Sequence, residues 1–449
     1  MILPSYCKKI LALLNDSGYE CYVVGGAVRD MVMGNFPSDY DITTSATPEE
    51  VMAVLEASHI RTVPTGIRHG TVTAVTDGND LEITTYRVDG DYADHRRPDS
   101  VSFSRSIEED VKRRDFTINA MYLDNDGNVI DLVGGREDIK AGIIRAVGDP
   151  YVRFEEDALR IMRGLRFAAV TGFEIEEKTY EAMINKAPLI SGVSGERIAV
   201  ELNGIVTAPF ASGVIRRSVP VLKHIIPELE ECVGFDQRSP YHDRDVLEHT
   251  LAVLDGIPCV NGGKRDLTLA LAALLHDIAK PQCFKIGSSG RGNMIGHPVK
   301  GSVIADRVMT DLHYPNSLRI ETVKLVRFHD MYVDPDRISV HRVMCECGKD
   351  IMFKLAILQR ADILAHSDYG IKRLEHLEQL VVIGRDLATE GAAFSINELK
   401  VSGRDVTDLG VPPGPKVGEI LRRLFEEHIM DIVPNDRDKL LERLKFIIC

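Results

Sequence analysis

The chain has 449 residues, of which 44% are hydrophobic and 27% are charged, and its formal net charge is −14. This length predicts two to four domains, and no apolar run is long enough to cross a bilayer, so we expect no membrane contact. The negative charge argues against a protein that coats nucleic acid indiscriminately, although it does not exclude one basic groove. The N-terminus does not resemble a signal peptide, and the cysteines are scattered except for Cys345 and Cys347, which predicts reduced thiols and a cytoplasmic location.

The first predicted strand, "CYVV" at 21–24, ends at Gly25 and Gly26 and is followed by helical spacing in "AVRDMVM". A strand, a glycine turn and a helix start can form a phosphate cradle. Backbone N–H groups approach an anion closely at such a turn, and Arg29 adds a charged donor. Paired glycines are common in turns, so this feature alone is weak.

Asp39 and Asp41 in "SDYDITT" are separated by one residue. On a strand such residues point to one face, where two carboxylates would repel each other unless a divalent cation lay between them. Mg²⁺ fits this geometry, and it can activate an attacking hydroxyl while it stabilises a leaving pyrophosphate. The pattern therefore predicts nucleotidyl transfer with Asp39 and Asp41 as catalytic metal ligands. Glu82 in "DLEITTYR" is the candidate third carboxylate, with a plain cross-strand salt bridge as the alternative.

Seven motifs then follow one another in an order that resembles the class II tRNA nucleotidyltransferases, the CCA-adding enzymes and their bacterial poly(A) polymerase relatives. They are "VVGGAVRD", "SDYDITTSATPEEV", "TGIRHGTVT", "EITTYRVDG", "RRDFTINAM", "DLVGGREDI" and "EEDALRIMRGLRFAA". The resemblance implies an α+β fold, with a polymerase-beta-like head that contains a small mixed sheet, followed by helical regions. We expect a catalytic nucleotidyltransferase head over 1–140, a helical neck that binds RNA and nucleotide over 141–230, an HD domain over 231–370, and a helical, tRNA-binding tail over 371–449.

In "EEDALRIMRGLRFAA", Asp157 and Arg160 are three residues apart on a predicted helix and would share a face. Cytosine and adenine both present an amine beside an unprotonated ring nitrogen, which an Asp acceptor and an Arg donor match. Guanine and uracil present the opposite pattern. One such pair could select C and A without a nucleic-acid template, and the alternative is an ordinary ion pair within the helix. The resemblance implies the same role, with Glu156, Asp157 and Arg160 as the amino-acid template.

The resemblance implies further nucleotide contacts. Asp115 in "RRDFTINAM" would lie near the ribose hydroxyls and favour ribonucleotides. Arg163 and Arg166 would face the triphosphate or the base, with surface salt bridges as the alternative. The basic loop that contains Arg96 and Arg97 favours full CCA addition over the addition of CC alone. The predicted nucleotide-binding residues are Gly25, Gly26, Arg29, Arg114, Asp115, Asn119, Asp157, Arg160, Arg163 and Arg166.

Two later helical patterns, "DVLEHTLAVLDGI" and "DLTLALAALLHDIAKP", place histidines and an adjacent His-Asp pair among apolar residues. Such polar groups need hydrogen bonds or a metal when they are buried, although any single histidine could be structural. Their order resembles the HD superfamily of metal-dependent phosphohydrolases, which implies a second divalent transition metal. The predicted ligands are His249, His276, Asp277, His297, His329 and Asp362. His366 and Asp330 lie nearby and are not included.

Two further features have ordinary alternatives. Cys345 and Cys347, preceded by His341, resemble half of a zinc site, but no second pair follows, which favours ordinary cysteines. In the tail, residues 414–418 predict a turn that opens a helix ending at Arg422 and Arg423. Backbone amides of that turn could bind an RNA phosphate, or the turn could have no ligand.

Together these features predict attack of a tRNA 3′-hydroxyl on the α-phosphate of CTP or ATP, so that CCA is added without a template and pyrophosphate is released. The expected partners are CTP, ATP and tRNA, the last through its 3′ end and its acceptor and T arms. The alternatives on the same scaffold are a poly(A) polymerase and a CC- or A-adding enzyme. Two others are an HD phosphohydrolase with a vestigial head and a non-catalytic RNA-binding protein. The sequence indicates no particular oligomeric state.

Overall fold

The computed structural model describes residues 1–67, 70–89, 101–239, 243–260, 263–288, 290–367 and 371–448. The chain divides into two compact units, Met1–Ile226 and Pro227–Cys449. The finer division into head, neck, HD domain and tail stays a prediction. Arg96 and Arg97 lie outside the described residues. Among the helices of the described part, none combines the length and apolar character needed to span a membrane.

The first unit contains a mixed sheet of seven strands. These are β1 (Cys21–Val24), β2 (Asp41–Thr44), β3 (Arg61–Gly66), β4 (Thr71–Thr76), β5 (Asn79–Thr85), β8 (Met121–Leu123) and β9 (Val129–Asp131). Their order is β3-β4-β5-β2-β1-β8-β9, in which β2 and β5 are parallel and the other neighbours are antiparallel. Two short pairs lie outside it, β6 (Arg87–Asp89) with β7 (Val101–Phe103) and β10 (Ile143–Ile144) with β11 (Glu174–Ile175). The predicted small mixed sheet is confirmed.

Ten helices of the described first unit surround this sheet or follow it in the chain. They are α1 (Ser5–Asp16), α2 (Gly26–Val32), α3 (Pro48–Ala57), α4 (Ile107–Lys112), α5 (Gly135–Ala141), α6 (Pro150–Glu156), α7 (Leu159–Thr171), α8 (Glu177–Lys186), α9 (Gly195–Val206) and α10 (Ala211–Leu222). Leu14 of α1 and Leu55 of α3 pack into the same core as Ile42 and Ile83 of the sheet, and all four are at most 1% exposed. This core holds β2 and β5 rigidly beside each other, which positions the residues at their ends.

The second unit is mostly helical. Its helices are α11 (Glu228–Cys232), α12 (Val246–Gly256), α13 (Leu267–Leu275), α14 (Lys280–Cys283), α15 (His297–Asp311), α16 (Asn316–Phe328), α17 (Arg337–Cys347), α18 (Lys349–Ala365), α19 (Arg373–Thr389), α20 (Gly403–Asp408), α21 (Pro415–Ile429) and α22 (Arg437–Ile448). Two hairpins of two-residue strands interrupt them, β12 (Cys259–Val260) with β13 (Lys264–Arg265) and β14 (Lys285–Ile286) with β15 (Gly292–Asn293). The α+β class is confirmed. The structure also contains short strand pairs in regions that were expected to be purely helical.

Two predicted helix boundaries in this unit are wrong. Because α13 ends at Leu275, His276 and Asp277 lie in the turn after the helix and not inside it. In the tail, α21 does not end near residue 423 but continues to Ile429. Leu424 and Ile429 are buried in that unit, so the apolar side of the helix extends past the arginines.

Candidate active site

One edge of the seven-stranded sheet brings the paired glycines and the predicted metal ligands together. The strand register places Val24 opposite Asp41, and Asp41 opposite Glu82. Gly25 follows Val24 with a φ of 75°, a left-handed conformation that glycine adopts without strain and that turns the chain from β1 into α2. A Cβ atom at Gly25 would lie 3.9 Å from Asp41 Oδ2. The glycine turn and the two carboxylates are therefore neighbours.

Asp39 does not share a strand with Asp41. β2 begins at Asp41, and Asp39 lies in the preceding segment, where the hydroxyl of Ser38 donates to Asp39 Oδ2 at 3.1 Å. Pro37, just before, has no N–H to offer a neighbouring strand. The predicted common strand face is therefore wrong for Asp39, although its charge still acts on the Asp41 carboxyl.

The Asp41 carboxyl has a pKa above its ordinary value. Reduced hydration is the largest cause, followed by repulsion from Glu82 and then from Asp39, while Arg114 acts in the opposite direction. Within the described residues neither Asp41 nor Glu82 forms an ion pair, so the salt bridge considered for Glu82 is not formed. Carboxylates that repel one another and have no cationic partner form an oxygen donor set that fits a divalent ion.

The cleft beside these carboxylates has a volume of about 490 Å³ and is rich in arginine. Its charged lining consists of Arg29, Arg87, Arg113, Arg114, Arg163 and Arg166 together with Asp41, Glu82 and Asp115. Six guanidinium groups thus stand against three carboxylates. Guanidinium groups bind phosphate oxygens through paired N–H donors, so this cleft suits a polyphosphate next to a metal ion.

A buried acid that the sequence analysis missed holds two of these arginines. Asp110 is fully buried and pairs with Arg113 at 2.5 Å and with Arg114 at 2.8 Å, and the hydroxyl of Tyr122 donates to its Oδ2 at 3.0 Å. Burial by itself would raise the pKa of Asp110, but the two guanidinium groups hold it below its ordinary value. The spacing of three and four residues between Asp110 and the two arginines is the sequence signal that could have found it.

The other arginines with defined partners are also fixed by acids. The pairs are Arg29 with Asp30 at 2.7 Å, Arg163 with Asp115 at 2.7 Å and Arg166 with Glu201 at 2.6 Å. Arg29 also donates to Asn119 Oδ1 at 3.0 Å. Burial would raise the pKa of Asp115, but Arg163 and the N–H of Phe116 lower it below its ordinary value. The salt bridges considered as the alternative for Arg163 and Arg166 are therefore formed. Both arginines nevertheless line the cleft, where a nucleotide could reach them.

Asp157 and Arg160 are not placed as expected. α6 ends at Glu156 and α7 begins at Leu159, with Asp157 extended between them at φ −143° and ψ 103°. Asp157 Oδ1 accepts from the N–H of Leu159 at 3.1 Å, and Oδ2 accepts from Arg197 at 2.9 Å. The predicted shared helix face is wrong, because Asp157 lies in the extended break between α6 and α7 and not on either helix.

Arg160 is held by other groups. Its guanidinium donates to Glu156 Oε2 at 2.7 Å and to the backbone oxygen of Arg113 at 2.8 Å. The alternative, an ion pair between Asp157 and Arg160, is therefore wrong: Asp157 pairs with Arg197, and Arg160 pairs with Glu156. Arg113 lines the cleft, so its backbone links Arg160 to the arginine cluster.

The cleft contains Gly25, Gly26, Arg29, Asp41, Glu82, Arg114, Asp115, Asn119, Arg163 and Arg166, but not Asp39, Asp157 or Arg160. It also contains residues not predicted for the site, among them Thr43, Thr71, Thr84, Arg87 and Phe167. Thr43 and Thr84 each follow a predicted carboxylate by two positions, so the period of a strand could have found them.

A second cluster lies in the second unit, where all six predicted HD ligands meet. They are His249 on α12, His276 and Asp277 after α13, His297 at the start of α15, His329 just after α16 and Asp362 on α18. Asp277 is central, with Oδ1 at 3.2 Å from His297 Nε2 and 3.5 Å from His329 Nε2. Its Oδ2 lies 3.1 Å from His276 Nε2 and 3.5 Å from His249 Nε2.

Backbone carbonyls orient three of these imidazoles. Nδ1 of His276, His297 and His329 donates to the carbonyl oxygen three residues earlier, at 2.8, 2.9 and 2.7 Å. A carbonyl only accepts, so Nδ1 carries the proton and Nε2 keeps its lone pair for a metal. His276 Nε2 and both oxygens of Asp277 are buried without a well-aligned hydrogen bond in the described part of the chain. This donor set fits a divalent transition metal.

The cluster is larger than predicted. His366, which was left out, has its Nε2 at 3.6 Å from Asp362 Oδ1, and its ring stacks on that of His249 with centroids 5.2 Å apart. Burial lowers the pKa of His366 to about 4. The i, i+4 spacing from Asp362 is the signal that could have included it.

The other cysteine and histidine motif has a different character. Burial raises the pKa of the Cys345 thiol to about 12 and that of Cys347 to about 11. His341 donates from Nε2 to the backbone oxygen of Ala393 at 2.8 Å. None of these three side chains belongs to the potential metal-binding groups found among the described residues.

The chain is similar to characterised proteins along nearly all of its length. Residues 21–145 match the family described as Poly A polymerase head domain, residues 172–232 the probable RNA- and SrmB-binding site of polymerase A, and residues 246–369 the HD domain. The CCA-adding enzyme of Leuconostoc mesenteroides is 33% identical over 435 residues, which cover 96% of this chain and 94% of that enzyme. The CCA-adding enzyme of Geobacillus thermodenitrificans is 50% identical over 203 residues, covering 45% of this chain and 49% of that one. The crystal structure of the Bacillus stearothermophilus CCA-adding enzyme in complex with CTP matches with a TM-score of 0.73 and 28% identity, covering 99% of this chain and 97% of that chain.

Proposed function

The chain belongs to the family of CCA-adding enzymes, and from this premise we propose that it adds the terminal CCA to the 3′ end of tRNA. The nucleotides come from CTP and ATP, no nucleic-acid template is used, and pyrophosphate is released. The observation that carries the proposal is the cleft of about 490 Å³, in which unpaired carboxylates at a sheet edge face six arginines. A divalent metal ion belongs to the chemistry of this family, and Mg²⁺ is the proposed ion.

Asp41 and Glu82, with Asp39 nearby, would hold the metal ion. The raised pKa of Asp41, caused by lost hydration and by the neighbouring negative charges, is the sign of a site that gains from a cation. When it is bound, Mg²⁺ lowers the pKa of the attacking 3′-hydroxyl and stabilises charge on the leaving pyrophosphate.

The arginines bind the triphosphate of the incoming nucleotide. The guanidinium groups of Arg29, Arg113, Arg114, Arg163 and Arg166 are already fixed by Asp30, Asp110, Asp115 and Glu201, so little side-chain freedom is lost when a nucleotide enters. Oδ2 of Asp115 is engaged by two nitrogens of Arg163, whereas Oδ1 accepts only from the N–H of Phe116 and retains a lone pair. Asp115 can therefore also accept from a ribose hydroxyl, which supports the preference for ribonucleotides.

Base selection is assigned to Asp157 and Arg160. Each is held by protein partners, Asp157 by Arg197 and Arg160 by Glu156. An ionised carboxylate only accepts hydrogen bonds and a guanidinium only donates them, which is the pattern that cytosine and adenine match. Asp157 accepts one hydrogen bond on each oxygen and so keeps lone pairs for the exocyclic amine, whereas Arg160 would exchange one of its protein contacts for the ring nitrogen.

The test uses tRNA that lacks its 3′ CCA, incubated with CTP, with ATP and with both. We expect two cytidines from CTP alone, little incorporation from ATP alone, and CCA followed by termination from both. A minihelix of only the acceptor and T arms should also be extended. A long adenosine tract from ATP alone would instead identify a poly(A) polymerase, and a product that stops at CC with both nucleotides would identify a CC-adding enzyme.

We also propose that the histidine-aspartate cluster is a metal-dependent phosphohydrolase site. It opens into a cleft of about 870 Å³ that is lined by Lys280, Arg291 and Arg373, cations suited to a phosphate ester. The test is hydrolysis of p-nitrophenyl phosphate after metal removal and after addition of Mn²⁺, Co²⁺, Ni²⁺ or Zn²⁺. Hydrolysis that depends on added metal is expected. Metal binding without hydrolysis under any of these conditions would leave a structural role.

A further inference from the structure

Three of the cleft arginines gather around one aromatic ring, that of Phe167. The guanidinium carbons of Arg29, Arg163 and Arg166 lie 5.5, 5.3 and 4.8 Å from the ring centroid. All three are within the distance at which a cation is attracted to an aromatic face, about 6 Å. Each other aromatic ring with a cation at such a distance, among the residues that the structure describes, has only one.

The three arginines come from different parts of the first unit and have different acidic partners. Arg29 belongs to α2, whereas Arg163 and Arg166 belong to α7. Their acids are Asp30, Asp115 and Glu201, in that order. The ring of Phe167 is the contact that all three arginines share. Its position does not depend on the arginines alone, because the ring packs edge-to-face on fully buried Phe116, with centroids 5.8 Å apart.

An aromatic ring and a carboxylate hold a guanidinium in different ways. A carboxylate neutralises the cation that it binds, whereas the quadrupole of a ring attracts the cation and leaves its charge unchanged. Each of the three guanidinium groups already has one acidic partner, and Phe167, which is 6% exposed and lines the cleft, holds them beside one another without adding further negative charge. A preorganised group of donors of this kind binds a highly charged anion without moving.

We propose that Phe167 is a positioning residue for nucleotide addition, whose ring holds Arg29, Arg163 and Arg166 in one place so that they bind the triphosphate together. The inference rests on the proposed function, because it assigns these arginines to the incoming nucleotide. Phe167 itself transfers no proton and touches no reacting atom.

The experiment compares Phe167→Leu with the parent and with Phe154→Leu, the same substitution at a fully buried phenylalanine of the first unit that does not line the cleft. Binding of CTP, ATP and inorganic tripolyphosphate is measured directly, and KM and kcat are measured with tRNA. Phe167→Leu should weaken all three ligands and raise KM for both nucleotides by roughly three- to tenfold, with a smaller change in kcat. Phe167→Tyr, which retains the aromatic face, should restore most of this binding. Phe154→Leu should lower stability and leave anion binding close to the parent value.

The outcomes separate this inference from the function on which it depends. If the parent protein binds neither CTP nor ATP, the proposed function fails. If the parent binds both and Phe167→Leu binds them equally well, only the role of Phe167 is refuted. Equal losses of tripolyphosphate binding in Phe167→Leu and Phe154→Leu would show that the effect is general loosening of the core, and would also refute the role of Phe167.

Discussion

The two candidate sites use the same acidic residue type in opposite surroundings. In the first unit, Asp41 and Glu82 are exposed at a sheet edge, have no ion-pair partner among the described residues, and repel each other. In the second unit, Asp277 is 1% exposed and is surrounded by imidazoles and the ammonium group of Lys280 at 2.6 Å. The carboxylates of the first site are open to solvent and substrate, and those of the second are enclosed by protein.

The pKa values of the two sites move in opposite directions. That of Asp41 is raised by lost hydration and by neighbouring carboxylates. Burial would also raise that of Asp277, but His276 and Lys280 hold it well below its usual range. An exposed set of repelling acids suits an ion that arrives with its substrate, whereas a buried set with oriented imidazoles suits a resident metal. If both sites bind metal, we therefore expect faster exchange at the first site than at the second.

The largest effect is expected at the sheet edge. Asp41→Ala and Asp39→Ala should each lower nucleotide incorporation by roughly a thousandfold or more, because loss of a metal-holding carboxylate removes several kcal/mol of transition-state stabilisation. Both side chains are exposed, so the unfolding temperature should change little. Asp80→Ala, at an exposed acid on β5 outside the cleft, is the control and should retain activity. Near-normal turnover of either variant with Mg²⁺ would contradict the metal role.

The second prediction separates the two sites. His276→Ala should lose bound transition metal, measured by elemental analysis, while nucleotide incorporation persists, because the cleft that carries it is lined by first-unit residues. His341→Ala removes another buried histidine of the second unit, one that donates to a backbone carbonyl and not to the cluster, and should keep the metal. A parent protein that contains no metal, and takes up none when metal is added, would show that the cluster has only a structural role.

The two sites also differ in how far the sequence could predict them. In the second unit the order of histidines and aspartates was sufficient, and all six predicted ligands meet in the fold. What the sequence did not show was the end of α13 at Leu275, because the apolar pattern continues through Ile278 and Ala279. Periodicity reports which residues are buried and not where a helix stops.

In the first unit the glycine turn was predicted correctly, and the register of β2 and β5 brings Glu82 beside Asp41 as expected, but the strand face predicted for Asp39 was wrong because β2 begins only at Asp41. The partners of the arginines were missed where they depend on tertiary packing. Glu201 is 35 residues from Arg166, and Arg197 is 40 residues from Asp157. The break between α6 and α7 was missed because an aspartate can continue a helix or accept a hydrogen bond from a nearby backbone N–H outside one, and here the N–H of Leu159 donates to Asp157.

The third prediction tests base selection at this break. Asp157→Ala should weaken CTP and ATP and relax the exclusion of UTP and GTP, at a cost of roughly 1–3 kcal/mol for a lost buried hydrogen bond. Arg160→Ala should act likewise through the ring nitrogen. Glu155→Ala, which removes an ion pair between α6 and Lys186 of α8, is the matched control. Competition among all four nucleotides is the measurement, and selectivity identical to that of the parent would refute the template role.

The smallest effect concerns stability at the sheet edge. The folded-state pKa of Asp41 is raised, so the native state binds a proton more readily than the unfolded chain. Stability should therefore fall as pH rises from the ordinary carboxyl pKa through the raised one.

Asp41→Asn removes this charge, so above that window and without metal the variant should be slightly more stable than the parent. The gain should be under about 1 kcal/mol, because the side chain is exposed and solvent screens the repulsion. Added Mg²⁺ should raise the unfolding temperature of the parent more than that of the variant. Calorimetry from pH 5 to 8 with and without Mg²⁺ is the check, and a variant less stable than the parent without metal would show that Asp41 is held by favourable contacts and not by repulsion that a cation relieves.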